Sequence, residues 1–282
     1  MKGNASILLV DAGNTRIKFG WLRRGQNRRS PDTLALSHAE LSQLPQWLAQ
    51  LPSMPDAALG VCVASEAVAT LIEHTLQPSI TMHWLRSSAY AAGVMNLYDH
   101  PEQLGNDRWI ALIGLGGHTR SAALLASFGT ATTVDTLGPL SAAEHAPLSD
   151  LDEQTESRRF EGGLILPGPE LMRQSLANGT AGLPYAQGAS VAFPRNTHTA
   201  ISSGIAAAQA GAVIRQWRYA LDTLGVAPTV YCSGGGWPLV ADEVEAALRR
   251  AQADNGLPPS APHWLDAPVL DGLAALAGQT LP

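Results

Sequence analysis

A polar segment suited to binding phosphate follows the first apolar run of the chain. Residues 7–10 are Ile-Leu-Leu-Val, and residues 11–18 are Asp-Ala-Gly-Asn-Thr-Arg-Ile-Lys. A glycine in a tight turn lets backbone N–H groups approach a phosphate, and an aspartate at the end of a strand can hold Mg²⁺ directly or through water. A plain hairpin turn would explain the same composition. The candidate phosphate and Mg²⁺ ligands are Asp11, Gly13, Asn14, Thr15 and Lys18.

Two later segments combine glycine with small hydroxyl residues, again after an apolar run. Residues 129–133 are Gly-Thr-Ala-Thr-Thr and can line a pocket with N–H and O–H donors, although threonine-rich strands are common. Residues 233–236 are Ser-Gly-Gly-Gly, which leaves room for a flat ring such as adenine, and a flexible turn is the alternative. The candidate binding residues in these segments are Gly129, Thr130, Gly234 and Gly235.

A polar tetrapeptide opens an otherwise apolar helix. Residues 105–108 are Gly-Asn-Asp-Arg, and residues 109–114 are Trp-Ile-Ala-Leu-Ile-Gly. An aspartate near a helix N-terminus is often only a cap, and a neighbouring arginine only a surface charge. In a chain with few charges, however, a carboxylate base beside a guanidinium fork suits an anionic substrate. The residues of this candidate cluster are Tyr98, Gly105, Asn106, Asp107 and Arg108.

The elements that must position these segments alternate between strands and helices. Short apolar runs predict buried strands, and helical periodicity with start and stop signals predicts helices. This alternation predicts an α/β architecture. The acidic stretch 149–159 predicts an exposed loop or hairpin tip. The main predicted elements are strands at residues 7–10, 17–22, 59–64, 122–126, 164–166 and 229–232, and helices at residues 41–51, 170–179 and about 200–224.

The first two glycine segments repeat each other in outline. When Asp11 is laid on Ser127, Gly13 falls on Gly129, and a threonine-containing strand follows both turns. Self-similarity at a separation of about 116 residues predicts two related halves, each opening with a strand-turn-strand hairpin. We place these halves at residues 1–117 and 118–282. Two such hairpins can clamp a polyphosphate from both sides.

Composition excludes several classes of protein. The 282 residues include 18 Lys and Arg against 24 Asp and Glu, a formal net charge of −6, so we expect no nucleic-acid partner. Lys2 and Lys18 are the only lysines, and neither follows a glycine as a Walker A loop requires. The chain also has no Gly-x-Ser-x-Gly elbow. One short basic cluster, predicted to be a solvated hairpin turn, contains Arg23, Arg24, Arg28 and Arg29.

Two observations predict a cytoplasmic protein without a membrane segment. Cys62 and Cys232 lie far apart in apolar runs, which favours buried free thiols in a reducing compartment. The first apolar run is too short for a secretory signal, and no stretch approaches the roughly 18 uninterrupted apolar residues of a membrane helix.

The ordered set of motifs resembles the type III pantothenate kinases, members of the acetate and sugar kinase, Hsp70 and actin superfamily. The matches run in one order from residue 7 to about residue 236 and cover most of the chain. Each motif is weak alone, whereas the ordered set is specific. The matching segments are Asp11–Lys18, Asn96–Tyr98, Leu104–Trp109, Phe128–Thr133, Gly162–Gly168, Leu171–Met172, Thr180–Pro184, Asn196–Thr197, Ala200–Ile201, Ser203–Gly204 and Ser233–Gly235.

The resemblance implies a ribonuclease H-like fold duplicated into two domains, with the ATP cleft between them and pantothenate near a homodimer interface. The implied reaction is ATP-dependent phosphorylation of pantothenate to 4′-phosphopantothenate, the first step of coenzyme A biosynthesis, with Mg²⁺ accompanying ATP. Asp107 would be the catalytic base, Asp11–Lys18 the first phosphate loop, and Thr130 a phosphate contact in the second loop. The pantothenate-binding residues implied are Tyr98, Gly105, Asn106, Asp107, Arg108 and Thr197.

One departure from the family pattern concerns a monovalent cation. The family commonly has an aspartate, associated with a cation such as K⁺, where this chain has Ser127. A neutral hydroxyl is a poorer ligand than a carboxylate for a desolvated cation. We therefore expect activity that depends weakly or not at all on K⁺ or NH₄⁺.

Two other functions stay open at this point. A kinase of the same superfamily could act on another small carboxylate-bearing alcohol, and the cluster around Asp107 discriminates among acceptors. A non-catalytic regulatory protein that binds nucleotide would need no base, so the joint presence of Asp11, Lys18 and Asp107 argues against it.

Overall fold

The computed structural model describes residues 5–142 and 156–281. Contacts divide the chain into two units. The first contains the described residues up to His118, those from Ala267 onward and the described ends of Ala142–Ser157, and the second contains Thr119–Ser141 and Arg158–Asp266. The contacts thus group the end of the chain with the first unit, whereas the predicted halves, 1–117 and 118–282, divide the sequence once.

Strands and helices alternate along the chain, and short 3₁₀ turns lie at His38–Gln43, Pro101–Gln103 and Trp237–Leu239. The strands are β1 (Ser6–Ala12), β2 (Arg16–Arg23), β3 (Leu34–Ser37), β4 (Pro55–Cys62), β5 (Thr81–Trp84), β6 (Tyr90–Ala91), β7 (Val94–Asn96), β8 (Ala123–Phe128), β9 (Ala131–Leu137), β10 (Ser141–Ala142), β11 (Glu156–Pro167), β12 (Thr229–Ser233) and β13 (His263–Trp264). The helices are α1 (Leu44–Leu48), α2 (Glu66–Leu76), α3 (Asn106–Gly116), α4 (Pro169–Gly179), α5 (Thr197–Leu224), α6 (Ala241–Asp254) and α7 (Pro268–Thr280).

The first unit is built on a five-stranded sheet in the order β3-β2-β1-β4-β5. Strand β2 is antiparallel to β1 and β3, whereas β4 is parallel to β1 and β5 is parallel to β4. Residues 6–10 of β1 are all buried, as a central strand covered on both faces requires. This order and these directions are those of the ribonuclease H-like fold that the resemblance implies.

The second unit repeats this topology. Its strands follow the order β11-β9-β8-β12-β13, with β9 antiparallel to β8 and β11, and with β12 and β13 parallel to β8. Helix α5 begins after Asn196, whose Oδ1 accepts the N–H of Thr199 at 3.0 Å, and it ends at Gly225 with φ +69°. The α/β class and the duplicated ribonuclease H-like fold are confirmed.

Close backbone contact joins α3 to α7 in the first unit. A Cβ on Gly272 would lie 1.9 Å from the Ile110 carbonyl oxygen, and one on Gly114 would lie 2.2 Å from the Pro268 carbonyl oxygen. Only glycine allows the two helices to approach this closely. The middle and the end of α3 are therefore packed against a helix that lies more than 150 residues later in the sequence.

Arg29 departs from the solvated turn predicted for the basic cluster. Its Nε donates to Asp271 Oδ1 on α7 at 2.7 Å, and its side chain is only 10% exposed. The sequence prediction was wrong at this residue because the partner carboxylate lies 242 positions away.

The predicted loop at residues 149–159 is also corrected. Residues 149–155 lie outside the described part of the chain, but 156–159 belong to β11, and Arg158 is 3% exposed. The Arg158 guanidinium donates to three backbone carbonyls, those of Thr119, Ser121 and Gly138, at 2.5 to 2.9 Å. These acceptors allow a charged residue to occupy a buried strand position, and burial lowers the pKa of Arg158 to about 10.

In residues 5–142 and 156–281, no helix combines the length and the apolar character needed to cross a bilayer. Both cysteines are free thiols, with Cys232 buried and Cys62 partly exposed.

Candidate active site

The first predicted phosphate loop is the turn between β1 and β2. The N–H of Gly13 donates to the Arg16 carbonyl at 3.0 Å, and residues 14–16 at the tip are exposed. His38 Nε2 donates to the Gly13 carbonyl at 3.0 Å from the turn that follows β3. The backbone of the loop is therefore fixed at both sides of Gly13, while Asn14 and Thr15 face solvent.

Asp11 lies directly opposite Lys18 in the antiparallel register of β1 and β2. Burial raises the pKa of Asp11 to about 6, the nearby Lys18 ammonium opposes the rise, and the Asp107 carboxylate adds to it. This influence of Asp107 means that the two carboxylates lie within electrostatic range of each other in the first unit. A desolvated carboxylate with one ammonium nearby fits the binding of a divalent cation.

Asp107 occupies the second position of α3, and its half-buried carboxylate turns back towards the start of the helix. Its Oδ1 accepts the N–H of Arg108 at 2.8 Å, and burial raises the pKa of Asp107 above its usual range. A Cβ on Gly105 would lie 2.9 Å from this same oxygen. Glycine at position 105 thus leaves space for the carboxylate, and Asp107, rather than the N-cap residue Gly105, accepts a first-turn N–H.

Arg108 is 6% exposed, which excludes the alternative of a surface charge. Its Nη1 donates to the Tyr98 hydroxyl at 2.9 Å, and the guanidinium carbon lies 5.8 Å from the centre of the Tyr98 ring. The structure therefore brings Arg108 into contact with Tyr98, ten positions earlier in the sequence. The guanidinium cation lies at this contact.

Two asparagines hold this cluster in place. Asn96, 5% exposed, donates to the carbonyls of Ser88 and Pro101 and accepts the N–H of Tyr98 at 3.1 Å. Asn106 Oδ1 accepts the N–H of Ser87 at 2.9 Å. The Asn106 oxygen is thus engaged in holding a neighbouring loop, and its predicted contact with substrate stays a prediction.

The second predicted phosphate loop connects β8 to β9 in the second unit. The N–H of Gly129 donates to the Ala131 carbonyl at 3.0 Å, and Gly129 and Thr130 are exposed. The N–H of Gly168 donates to the Thr130 carbonyl at 3.0 Å. A Cβ on Gly168 would lie 2.1 Å from the Gly129 carbonyl oxygen, so the turn before α4 supports this loop at backbone contact.

The triple-glycine segment lies against the end of β8. Gly234 has φ +95°, and a Cβ there would lie 2.4 Å from the Phe128 carbonyl oxygen, which also accepts the N–H of Gly236 at 2.9 Å. Gly234 and Gly236 are therefore required by packing, whereas a Cβ on Gly235 would meet no atom within 4 Å. Of these three glycines, only Gly235 borders open space of the kind predicted for a flat ring.

The remaining two candidates lie elsewhere in the second unit. Ser127 is half-buried in β8 and pairs in register with Thr133 of β9 and Ser233 of β12, so its neighbours are also neutral hydroxyl residues. Thr197 is the exposed first residue of α5 and lines a cavity of about 740 Å³ between α4 and α5.

Three supporting residues were not found as site residues from the sequence. His38 acts through a contact with a backbone carbonyl, which leaves no local pattern, and Asn96 and Gly168 were noticed in matching motifs but not as site residues. Within the first unit the structure brings Asp11, Lys18 and Asp107 to one region and joins Arg108 to Tyr98. Within the second, it joins the loop at Gly129 and Thr130 to Gly168.

Comparison with known proteins identifies similar chains. The sequence model of the family described as type III pantothenate kinase matches residues 7–143 and 151–219. Type III pantothenate kinase of Bordetella pertussis is 46% identical over 282 residues, covering 98% of this chain and 99% of its own length. That of Bordetella petrii is 47% identical, covering 98% of each chain. A solved glucokinase from an Antarctic psychrotroph covers 98% of this chain and 99% of its own at 12% identity, with a TM-score of 0.48.

The raised pKa of Asp11 predicts how the stability of the protein depends on pH. The folded-state pKa of about 6 exceeds the ordinary 3.8, so the folded protein binds this proton more tightly, and stability is lost as pH rises from about 4 through 6. We expect Asp11→Asn to be more stable than the native chain at pH 8, by on the order of 2 kcal/mol, with the difference shrinking towards pH 4.5. Urea unfolding at the two pH values measures this difference in the free energy of unfolding.

Asp56→Asn, at an exposed position of β4, is the control. An Asp11→Asn protein less stable than the native chain at pH 8 would contradict the prediction.

Proposed function

This chain belongs to the type III pantothenate kinase family, and on that basis we propose how its residues carry out the phosphorylation of pantothenate. The protein is an ATP-dependent pantothenate kinase that acts in coenzyme A biosynthesis. The single observation that supports our assignment of the catalytic centre is the Asp107 carboxylate at the start of α3 beside the buried Arg108 guanidinium, which donates to Tyr98. Membership of this family also favours pantothenate over another carboxylate-bearing alcohol.

Asp107 acts as the catalytic base. The pantothenate hydroxyl oxygen attacks the γ-phosphorus, the bond from that phosphorus to the ADP oxygen breaks, and the hydroxyl proton passes to the Asp107 carboxylate. Burial raises the pKa of Asp107, which makes the carboxylate a better proton acceptor than an exposed aspartate. Because the transition state of phosphoryl transfer is loose, the proton moves late, and the carboxylate mainly orients the hydroxyl.

Arg108 and Tyr98 bind the acceptor. A buried guanidinium already hydrogen-bonded to a tyrosine hydroxyl is pre-organised for a carboxylate, which is the charged group of pantothenate. Arg108 directly follows the base in the sequence. Its guanidinium holds the carboxylate end of pantothenate while Asp107 orients the hydroxyl. Gly105, Asn106 and Thr197 complete the proposed set of pantothenate-binding residues.

The two glycine loops bind ATP. In the first unit, Gly13, Asn14, Thr15 and Lys18 offer N–H, amide, hydroxyl and ammonium donors to the phosphates. In the second unit, Gly129 and Thr130 contact phosphate, and Gly234 and Gly235 lie beside the nucleotide. Asp11 would hold the Mg²⁺ that accompanies ATP, directly or through water, and the ion would supply positive charge to the phosphates. A cytoplasmic location, where ATP is supplied, stays a prediction.

The role of Asp107 is tested by Asp107→Asn. The amide cannot accept the proton, so we expect kcat to fall about 10²- to 10⁴-fold, while the thermal midpoint stays equal or rises because a desolvated charge is removed. ADP release coupled to NADH oxidation, with pantothenate as the varied substrate, measures the loss.

Glu66→Gln is the matched control, since Glu66 is an exposed acidic residue in the first turn of α2 in the same unit. Turnover should be unchanged in that variant. A collapsed fold in Asp107→Asn, rather than a folded and inactive enzyme, would instead identify Asp107 as a structural residue.

A weak dependence on monovalent cations is the second proposal. Ser127 and its register partners Thr133 and Ser233 offer neutral hydroxyls, which are poor ligands for a desolvated cation compared with a carboxylate. We expect turnover in Tris or sodium buffer to rise less than about twofold when K⁺ or NH₄⁺ is added. The assay is repeated with Ser127→Asp, in which K⁺ should become an activator. A large rise with K⁺ in the native enzyme would overturn the proposal.

A homodimer formed through α4 and α5 is the third proposal. The cavity of about 740 Å³ between these helices has an apolar lining that includes Met172, Leu176 and Ile201. Phe193 and Val191, in the segment that joins the two helices, are 86% and 45% exposed. A continuous apolar patch of this kind is typical of a surface that another chain covers, and a second copy is the occupant that the family resemblance implies.

The dimer is tested with Phe193→Glu. A charge on this exposed residue should leave the fold intact and shift the mass measured by light scattering after gel filtration from dimer to monomer. Tyr219→Glu, on an exposed position of α5 near its C-terminal end, is the control and should stay dimeric. A native protein that is monomeric at micromolar concentration would refute the proposal.

A further inference from the structure

Helix α5 carries a buried amide whose contacts lead to the second phosphate loop. Gln209 is 0% exposed, and its Nε2 donates to the Pro167 carbonyl at 2.8 Å and to Met172 Sδ at 3.3 Å. Pro167 is the last residue of β11 and pairs with Ala131, the residue that follows the loop. The amide is therefore anchored at the point where β11 meets the loop.

The contact continues from Pro167 to the loop through the backbone. Gly168, next in the chain, donates its N–H to the Thr130 carbonyl at 3.0 Å and lies too close to Gly129 for any Cβ. Displacement of Pro167 would consequently move Gly168 and, with it, the carbonyls of Gly129 and Thr130. Interiors transmit such shifts because they are closely packed.

The Gln209 amide also lowers the stability of the fold, because its oxygen is buried without a hydrogen-bond partner. Gln209 Oε1 has no hydrogen-bond partner, and neither has Thr132 Oγ1, which is 0% exposed. Thr132 faces α5, because Thr136, four residues along the same strand, accepts from Gln216 Nε2 at 2.9 Å. An unpaired buried oxygen destabilises the fold, and an apolar residue of similar volume would avoid that cost.

We propose that Gln209 is a positioning residue for ATP, which holds the second phosphate loop in its binding geometry through Pro167 and Gly168. The proposal rests on the assignment of Gly129 and Thr130 to ATP made above. A residue retained for stability alone would have no unpaired oxygen at this position, whereas an amide donor is required to hold the Pro167 carbonyl. This role predicts that a change at Gln209 alters KM for ATP and leaves KM for pantothenate unchanged.

The test is Gln209→Met, which keeps the volume and removes the donor. We expect KM for ATP to rise about five- to tenfold, the loss expected from one hydrogen bond, with KM for pantothenate unchanged. Gln216→Met is the matched control: it removes an amide seven residues later on the same helix that contacts Thr136 instead of the loop. KM for ATP should not change in that variant.

The outcomes separate the inference from the assignment on which it rests. Thr130→Val is measured in parallel, and an unchanged KM for ATP there would refute the assignment of the loop to ATP. If Thr130→Val raises KM for ATP and Gln209→Met does not, or if Gln209→Met raises both KM values equally, the positioning role is overturned. Should Gln209→Met fail to fold, Gln209→Asn, which shortens the amide by one methylene, is judged by the same two KM values.

Discussion

The withdrawal of two carboxylates from water is the constraint on which the site in the first unit depends. Burial raises the pKa of Asp11 and of Asp107, so each would bind a proton more readily than in solution unless a cation were near. Lys18 supplies part of that compensation across the strand pair. Further compensation would come from the metal-nucleotide complex proposed to bind here.

In the second unit the corresponding constraint is backbone contact. The phosphate loop there has the carbonyls of Phe128, Gly129 and Thr130 packed against glycines, two of which would clash at 2.4 Å or less if they carried a Cβ. Such backbone contact helps to fix the loop and keeps bulky side chains away from Gly129 and Thr130. The glycines at 168 and 234 are therefore as important to the loop as the residues within it.

Much of the fold followed from local patterns, whereas the contacts that complete the site did not. The α4 and α5 helices and the strands that flank the glycine loops were predicted from apolar runs and capping signals, and the sheets confirm them. The loops, Asp107 and Arg108 were found because their composition is unusual where they occur. His38, Arg29 and Arg158 were missed or misplaced, because their partners lie at least 20 residues away in the sequence. The type of a residue does not reveal which distant residue or carbonyl will be its partner.

The shared topology allows the charges at equivalent positions of the two units to be compared. Asp11 is the penultimate residue of β1 and pairs with Lys18, and Ser127 is the penultimate residue of β8 and pairs with Thr133. At equivalent positions, a carboxylate-ammonium pair in one unit is thus replaced by two hydroxyls in the other. Replacing only one member of such a pair would leave a partly buried charge uncompensated, which costs several kcal/mol when the site is dry. Of these two pairs, only the one in the first unit carries formal charge.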